Sequence, residues 1–152
     1  MENDTPLTDD QKKALRETLV AEAKKLLGIP YVYGAEWVDF SKPPAALDCS
    51  ELVEGVYHNT KLKMPDGGQQ QFNFTVPAAT PKPGDLAFFG KNGKIEQVYH
   101  VGLIFDDKDI IEARGHQPES KFETGKVILR PRTNWENYKP NFLGYRSHPK
   151  LA

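Results

Sequence analysis

The single cysteine of the chain, Cys49, lies in the stretch DCSELVEGVY (48–57), directly after a residue type that caps helices. Asp48 can serve as the N-cap, and four apolar residues that follow share one helical face: Leu52, Val53, Val56 and Tyr57. Cys49 is therefore expected in the first turn of a helix. Free backbone N–H groups and the helix dipole stabilise a thiolate there, and also the oxyanion of a tetrahedral intermediate. A free cysteine is otherwise more often a small buried apolar residue.

A thiolate nucleophile needs a partner for proton transfer, and His100 is the candidate. It lies in the run VYHVGLIF, which is rich in β-branched and aromatic residues and is typical of a strand. Turn-forming residues at 106–108 (DDK) separate it from DIIEA, so the two runs are predicted to form a β-hairpin. A three-residue loop places Gly102 opposite Glu112 and makes His100 and Glu112 diagonal neighbours on one face, roughly 7–8 Å apart at the backbone. A two-residue loop would place them on opposite faces.

With the three-residue loop, Glu112 can accept a hydrogen bond from one ring nitrogen of His100 and leave the other nitrogen turned toward Cys49. This would be the Cys, His and carboxylate arrangement of a catalytic triad. Both residues also have a structural interpretation. A histidine in a strand is more often a satisfied structural residue, and Glu112 would then pair on the strand surface with Arg114 or Lys126. The residues alone leave both interpretations open.

The elements that would position these groups begin with a helix in PLTDDQKKALRETLVAEAKKLLGIP. Thr8 or Asp9 can cap this helix, and Gly28 and Pro30 are stop signals. Its apolar residues recur at helical spacing and predict one buried stripe: Leu15, Leu19, Ala23, Leu26 and Leu27. Residues 31–47 mix aromatic residues with Gly and Pro and are expected to form an ordered loop over a pocket.

After the second helix the pattern changes from loop to strands. Residues 64–83 are rich in Gly, Gln, Pro and Thr, and they predict a loop with a short helical turn at the glutamines. Short runs of strand-forming residues follow: DLAFFG, QVYHVGLIF, DIIEARG, KVILRPR and NFLGYRS. We therefore predict an α+β fold in which N-terminal helices pack on a roughly five-stranded antiparallel sheet.

The composition excludes several functional classes. At 152 residues, 38% hydrophobic and 27% charged, the chain is expected to fold as one globular domain, and its net charge of -1 offers no footprint for nucleic acid. One cysteine precludes an intramolecular disulfide, and the four histidines lack a metal-ligand spacing. The acidic start MENDTPLTDD and the lack of a long apolar run predict no signal peptide and no membrane partner. We expect synthesis in the cytoplasm.

Four segments, in order, resemble the motifs of the NlpC-type peptidases, papain-like cysteine enzymes that cut bacterial cell-wall peptides. The segments are GIPYVYG (28–34), DCSELV (48–53), PGDLAFF (83–89) and HVGLIFDDKDIIEARG (100–115). The resemblance covers about residues 10–147 and implies a papain-like NlpC-type fold, with residues 1–152 as a single catalytic domain.

The resemblance assigns Cys49 as the nucleophile, His100 as the general base and Glu112 as the third residue, which orients the histidine. Many relatives have His at the third position, and the IEARG context here resembles phage and prophage members. A second departure is Glu51, which stands where the family often has Gly and adds a carboxylate beside the cysteine.

The resemblance also implies groups that bind the substrate or the oxyanion. Tyr31, at the family's PY position, would place its hydroxyl near Cys49. Asp48 and Ser50 flank the cysteine and are assigned to the same set. The implied reaction is hydrolysis of peptidoglycan stem peptides between γ-D-glutamate and a diamino acid, either diaminopimelate or lysine. It proceeds through an acyl-enzyme and needs no metal or organic cofactor.

Three alternatives stay open: an amidase that cuts the sugar-to-peptide bond, an acyltransferase or thioesterase on the same fold, and an inactive wall-binding or tail-structural module. Because the chain shows no export signal but its implied substrate is the cell wall, we expect it to act as a phage lysin, a virion component or a secreted effector. Phage tail or delivery-machine proteins are then the expected protein partners.

Overall fold

The computed structural model describes residues 5–120 and 124–152. The helices are α1 (Asp9–Lys24), α2 (Cys49–Asn59), α3 (Gly68–Phe74) and α4 (Arg132–Glu136), with a single 3-10 turn at Lys91–Gly93. The strands are β1 (Val76–Pro77), β2 (Leu86–Gly90), β3 (Val98–Ile104), β4 (Asp109–Arg114), β5 (Lys126–Pro131) and β6 (Phe142–Ser147). Within the described ranges, no helix combines the length and the apolar character that crossing a bilayer requires.

The strands form one antiparallel sheet in the order β1-β6-β2-β3-β4-β5. The predicted α+β arrangement is confirmed, and the five predicted strand runs correspond to β2 through β6. The sixth strand, β1, lies in a segment that was predicted to be a loop. Its two residues are too few to show a strand period, and they join the sheet because Val76 pairs with Ser147 at the sheet edge.

The hairpin of β3 and β4 has the three-residue loop on which the triad prediction depends. Leu103 pairs with Ile111, and the Phe105 N–H donates to the Asp109 carbonyl at 3.0 Å. The Asp106 carboxylate accepts the Asp109 N–H at 2.7 Å, which is the local turn bond expected of an aspartate in this position. The side chain of a loop residue thus holds the register.

Helix α1 begins where the sequence predicts and ends earlier. Thr8 caps it in a reciprocal capping box with Gln11. The helix ends at Lys24, so Leu27 lies beyond it and is 39% exposed, whereas the other residues of the predicted stripe are buried or half-buried. The prediction that Leu27 belongs to the buried stripe is therefore wrong, because the helical period does not continue to that residue.

Two hydrophobic clusters pack against the sheet. The larger includes the predicted face of α2, whose four apolar residues have no exposed surface: Leu52, Val53, Val56 and Tyr57. The smaller contains Ala87, Phe89, Ile104, Ile110 and Trp135. Phe88 belongs to the first cluster and Phe89 to the second, as alternation along a strand requires. Trp135 comes from α4, which the sequence analysis did not predict because five residues are too few to show a helical period.

Candidate active site

Cys49 is the first residue of α2 and is partly buried. The Asp48 side chain caps the helix, with its Oδ1 accepting the Glu51 N–H at 2.9 Å and the Ser50 hydroxyl at 3.2 Å. A helix start has four N–H groups without intrahelical partners, and the Asp48 side chain takes only that of Glu51. The N–H groups of the turn that carries Cys49 are thus oriented toward the cysteine end of the helix.

His100 lies on β3 next to two groups that can exchange or hold protons. Its Nε2 is 2.8 Å from Glu112 Oε1, as the hairpin register predicts. Burial by itself lowers the pKa of His100, but hydrogen bonding to Cys49 and to Glu112 outweighs burial and raises the pKa to about 9. Because Nε2 is engaged by Glu112, Nδ1 is the nitrogen left for Cys49. The histidine therefore has one ring nitrogen on the carboxylate and a second that can face the thiol.

Glu112 has no exposed surface and is surrounded by donors. Its Oε1 accepts from Arg114 Nη1 at 2.8 Å as well as from His100, and its Oε2 accepts from Trp135 Nε1 at 2.9 Å. Arg130 Nη1 lies 3.7 Å from Oε1. Burial by itself raises the pKa of Glu112, but the hydrogen bond from His100 and the three cations lower it to about 2. The carboxylate is thus held ionised, and the alternative pairing with Arg114 coexists with the pairing to His100.

Two aromatic rings fix the plane of the imidazole. The His100 ring stacks on Trp135, with centroids 5.2 Å apart and planes 21° apart, and on Phe89 at 5.9 Å and 26°. Phe89 and Trp135 stack on each other at 4.3 Å. Trp135 therefore contacts both partners of the histidine–carboxylate pair, through its ring and through its indole N–H.

Trp135 and Arg130 are site residues that the sequence did not reveal. Trp135 lies 23 positions after Glu112, and no local pattern in its segment indicates that distant contact. For Arg114 a signal was present, because residues two apart on a strand share a face. Arg114 was considered only as a partner of an exposed Glu112 on the strand surface. That exposure is wrong, because the structure buries Glu112 and gives it contacts with both Arg114 and His100.

Replacing Trp135 by Phe tests the positioning of the pair. The variant keeps a stacking ring but leaves Glu112 Oε2 without its indole donor, so we expect kcat/KM to fall about 10-fold through kcat, with KM nearly unchanged. Steady-state kinetics on a cell-wall peptide measures this. Thermal unfolding is the control, because a loss of activity that merely follows loss of folded protein would contradict a positioning role.

The pKa of His100 sets an expected pH dependence. Because the imidazolium persists up to about pH 9, kcat/KM should stay level through neutral pH and fall above about pH 9. In Glu112→Gln the alkaline limb should move to lower pH, but Cys49 still raises the pKa of His100, so the limb should stay above the 6.5 of a free imidazole. A pH–rate profile for both proteins measures the shift. An alkaline limb that is the same in both would contradict the coupling between His100 and Glu112.

Tyr31 lies beside Cys49 in the loop that precedes α2. Its backbone N–H donates to Gly125 at 2.9 Å, and its ring packs over Gly115, where an added Cβ would lie 3.4 Å from the ring. Burial raises the pKa of Tyr31, and the nearby Cys49 and Asp48 raise it further. The hydroxyl therefore stays protonated at neutral pH and can donate a hydrogen bond near the thiol.

Asp48 and Ser50 have clear structural roles. The Asp48 carboxylate caps α2, and the Ser50 hydroxyl is buried and bonded to that carboxylate. Both side chains thus shape the turn that carries Cys49, and their assignment to substrate or oxyanion binding stays a prediction.

Glu51 points away from the triad into a second group of carboxylates. The carboxylate oxygens of Glu51, Glu54 and Asp66 lie within 4.8 Å of one another. Burial raises the pKa of Glu51 to about 8, and its Oε2 accepts the Trp37 N–H at 3.0 Å. Among the described residues this is the one group of donors close enough together to hold a metal ion. The neighbouring carboxylates of Glu54 and Asp66 also raise the pKa of Glu51, so the crowding of acidic groups disfavours its charged form.

Three features come together in this site: a cysteine at the N-terminus of a helix, a histidine on the adjoining antiparallel sheet, and a carboxylate behind that histidine. Together they define a papain-like α+β fold. The model of the NlpC/P60 family matches residues 28–131, which is more than half of the chain. The chain therefore belongs to the NlpC/P60 family.

Curated relatives and solved structures agree with this assignment. The chain is 32% identical over 120 residues to the probable endopeptidase p60 of Listeria grayi, covering 74% of this chain and 22% of that protein. It is 32% identical over 108 residues to the gamma-DL-glutamyl hydrolase of Bacillus subtilis strain 168, covering 69% of this chain and 24% of that protein. The chain thus spans about a quarter or less of these relatives.

The fold also matches RipD of Mycobacterium tuberculosis, described as a non-catalytic NlpC/p60 domain protein adapted to peptidoglycan binding. The TM-score is 0.65 at 18% identity, over 89% of this chain and 97% of that one. The family thus includes proteins named for hydrolysis and at least one named for binding alone.

Proposed function

We propose that the chain is a cysteine peptidase that hydrolyses peptidoglycan stem peptides at the bond between γ-D-glutamate and a diamino acid. The observation that carries this proposal is the contact of His100 Nε2 with Glu112 Oε1 at 2.8 Å, beside a helix that begins at Cys49. The names of the relatives support the substrate class, since one is an endopeptidase p60 and another a gamma-DL-glutamyl hydrolase.

In the proposed mechanism the Cys49 thiolate attacks the γ-carbonyl carbon of the glutamyl residue. The resulting oxyanion accepts hydrogen bonds from N–H groups at the start of α2 and from the Tyr31 hydroxyl. The His100 imidazolium then donates its proton to the departing amine, and the carbon–nitrogen bond breaks to leave a thioester. A water molecule loses a proton to His100 and attacks the thioester, which releases the new carboxylate and restores the thiolate.

Glu112 stays ionised in every step. Because its pKa is about 2, it does not take the proton from His100, and it stabilises the imidazolium by charge and by fixing the ring. A carboxylate holds an imidazolium more strongly than a neutral third residue does, so Glu is a competent replacement for the His that many relatives carry at this position.

Incubation with defined muropeptides followed by mass spectrometry tests the activity and the bond together. The proposal expects products with a new γ-glutamate carboxylate and a new free amine on the diamino acid, and no such products from Cys49→Ala. Release of intact stem peptide from the sugar would instead identify an amidase. Turnover of an acyl ester without any cleavage of wall fragments would identify an acyltransferase or thioesterase.

A wall-binding module without catalysis is the second candidate, favoured by the likeness to RipD. For such a module we expect that a thiol-reactive probe fails to label Cys49 at neutral pH. We also expect that Cys49→Ala and the wild type bind peptidoglycan equally well and that neither cleaves it. The retained group of Cys49, His100 and Glu112 favours the catalytic proposal. Delivery as a phage lysin, a virion component or a secreted effector, with tail or delivery-machine partners, stays a prediction.

A further inference from the structure

A cleft of about 230 Å³ opens beside His100, on the side where β4 ends. Its lining includes Tyr31, Tyr99, His100, Arg114 and Tyr138. Among the described residues that line it, none carries a carboxylate, and Arg114 is the one permanent cation. A ligand in this cleft, beside His100, therefore meets a guanidinium and aromatic hydroxyls.

Two hydrogen bonds hold the Arg114 guanidinium in place. Nη1 donates to Glu112 Oε1 at 2.8 Å, and Nε donates to Gln117 Oε1 at 2.9 Å. Within residues 5–120 and 124–152, Nη2 has no acceptor, although a guanidinium carries five N–H donors in a rigid fork. Arg114 is thus fixed by two of its nitrogens, and among the described residues the third has no acceptor.

The local charges favour an anionic ligand. Glu112 Oε1 accepts from both His100 and Arg114, so one carboxylate oxygen serves two cations that line the cleft. Once the Cys49 thiolate is acylated its negative charge is lost, and Glu112 then faces three cations, His100, Arg114 and Arg130. A substrate carboxylate beside Arg114 would supply the missing negative charge in a partly buried site, where such pairing is stronger than in water.

A second donor lies next to Arg114. The Tyr99 hydroxyl accepts from Asn141 Nδ2 at 2.7 Å, which leaves its own O–H free to donate. Burial raises the pKa of Tyr99, so the hydroxyl stays protonated at neutral pH, and Tyr99 lines the same cleft as Arg114. Arg114 and Tyr99 together provide a charged and a neutral donor on one side of the cleft.

We propose that Arg114 and Tyr99 form a subsite for a carboxylate of the peptide substrate next to the bond that is cut. This inference rests on the proposed function. The chemistry of that substrate offers two such groups. A γ-linked glutamate keeps its α-carboxylate free on the acyl side, and diaminopimelate carries a side-chain carboxylate on the leaving side, where lysine has none.

The test compares kcat/KM for four stem peptides that contain D-isoglutamate or its amide, D-isoglutamine, combined with diaminopimelate or lysine. In one of the two comparisons, isoglutamate against isoglutamine or diaminopimelate against lysine, the wild type should have a kcat/KM about 10-fold to 100-fold higher for the peptide with the carboxylate. Arg114→Gln should abolish that preference. The loss should fall mainly on KM. Loss of the isoglutamate preference assigns the subsite to the acyl side, and loss of the diaminopimelate preference assigns it to the leaving side.

Trp135→Phe is the matched control, because it disturbs the same histidine–carboxylate pair without removing a group of the cleft. It should lower kcat/KM on all four peptides by one common factor. If Arg114→Gln also lowers all four by a common factor, Arg114 acts only through Glu112 and the subsite is refuted.

Binding of the same four peptides to Cys49→Ala, measured by calorimetry, separates this inference from the proposed function. The wild type could cleave none of the four peptides while Cys49→Ala still binds the peptide with the carboxylate better than its neutral counterpart. If the double variant Cys49→Ala/Arg114→Gln then lacks that binding preference, the subsite stands and the peptidase activity fails. Equal binding of charged and neutral peptides by Cys49→Ala would overturn the subsite whatever the activity.

Discussion

Cys49→Ala is expected to lower peptide cleavage by more than about 10³-fold, to the level of a preparation without enzyme. The alanine keeps the start of α2 and its N–H groups but removes the atom that forms the acyl-enzyme, so no thioester can form. His100→Ala is expected to lose activity to a similar degree, because groups that act as a unit in catalysis are not additive. The measurement is digestion of purified peptidoglycan, with products quantified by mass spectrometry.

The control for Cys49→Ala is its stability. Because Cys49 is partly buried and alanine is only slightly smaller, the free energy of unfolding should change by no more than about 1 kcal/mol. Thermal unfolding of both proteins measures the change. If a folded Cys49→Ala protein still digests peptidoglycan, the nucleophile is another group and the proposed mechanism is wrong.

Glu112→Ala is expected to unfold more easily as well as to lose activity. The carboxylate is fully buried and accepts from His100, Arg114 and Trp135, so its removal leaves buried cations without their counter-ion. Breaking a buried ion pair in this way costs about 3–5 kcal/mol, which in a domain of this size is a fall in Tm of roughly 10 °C. Thermal unfolding at neutral pH measures the effect.

Glu112→Gln separates the catalytic effect from the structural one. Glutamine keeps the shape and one acceptor oxygen but not the charge, so activity should fall about 10²- to 10⁴-fold with a smaller loss of stability. Glu136→Ala is the matched control, because Glu136 forms a partly exposed pair with Arg132 at 3.6 Å and should change stability by about 1 kcal/mol or less. If Glu112→Ala is no less stable than Glu136→Ala, the carboxylate does not hold the cations as proposed.

The pH dependence of stability follows from the same pair. The folded pKa of Glu112 lies below its ordinary value of 4.5, so its contribution is present above about pH 4.5 and is lost as the pH falls toward 2. The folded pKa of His100 lies above 6.5, so its contribution is complete below about pH 6.5 and is lost as the pH rises through about 9. The stability that this pair contributes is therefore greatest between about pH 4.5 and about pH 6.5.

Several features of the site were predictable from residues close together in the chain. Asp48 before an apolar helical face identified the helix that begins at Cys49. Turn-forming residues at 106–108 identified the loop, and the alternation of strand side chains then paired His100 with Glu112. Each of these inferences depends on capping, turn geometry or strand period, which act over only a few residues and are visible in the sequence.

Tertiary structure alone decided what surrounds the carboxylate. Trp135 arrives on α4, and Arg130 arrives on β5, and both reach Glu112 through packing of distant segments. The two-residue strand β1 likewise depends on a neighbour in space, because its pairing with β6 defines it. A sequence specifies side-chain type and local period. The free energy of burying one carboxylate among cations depends on contacts that form only when the sheet and α4 pack together.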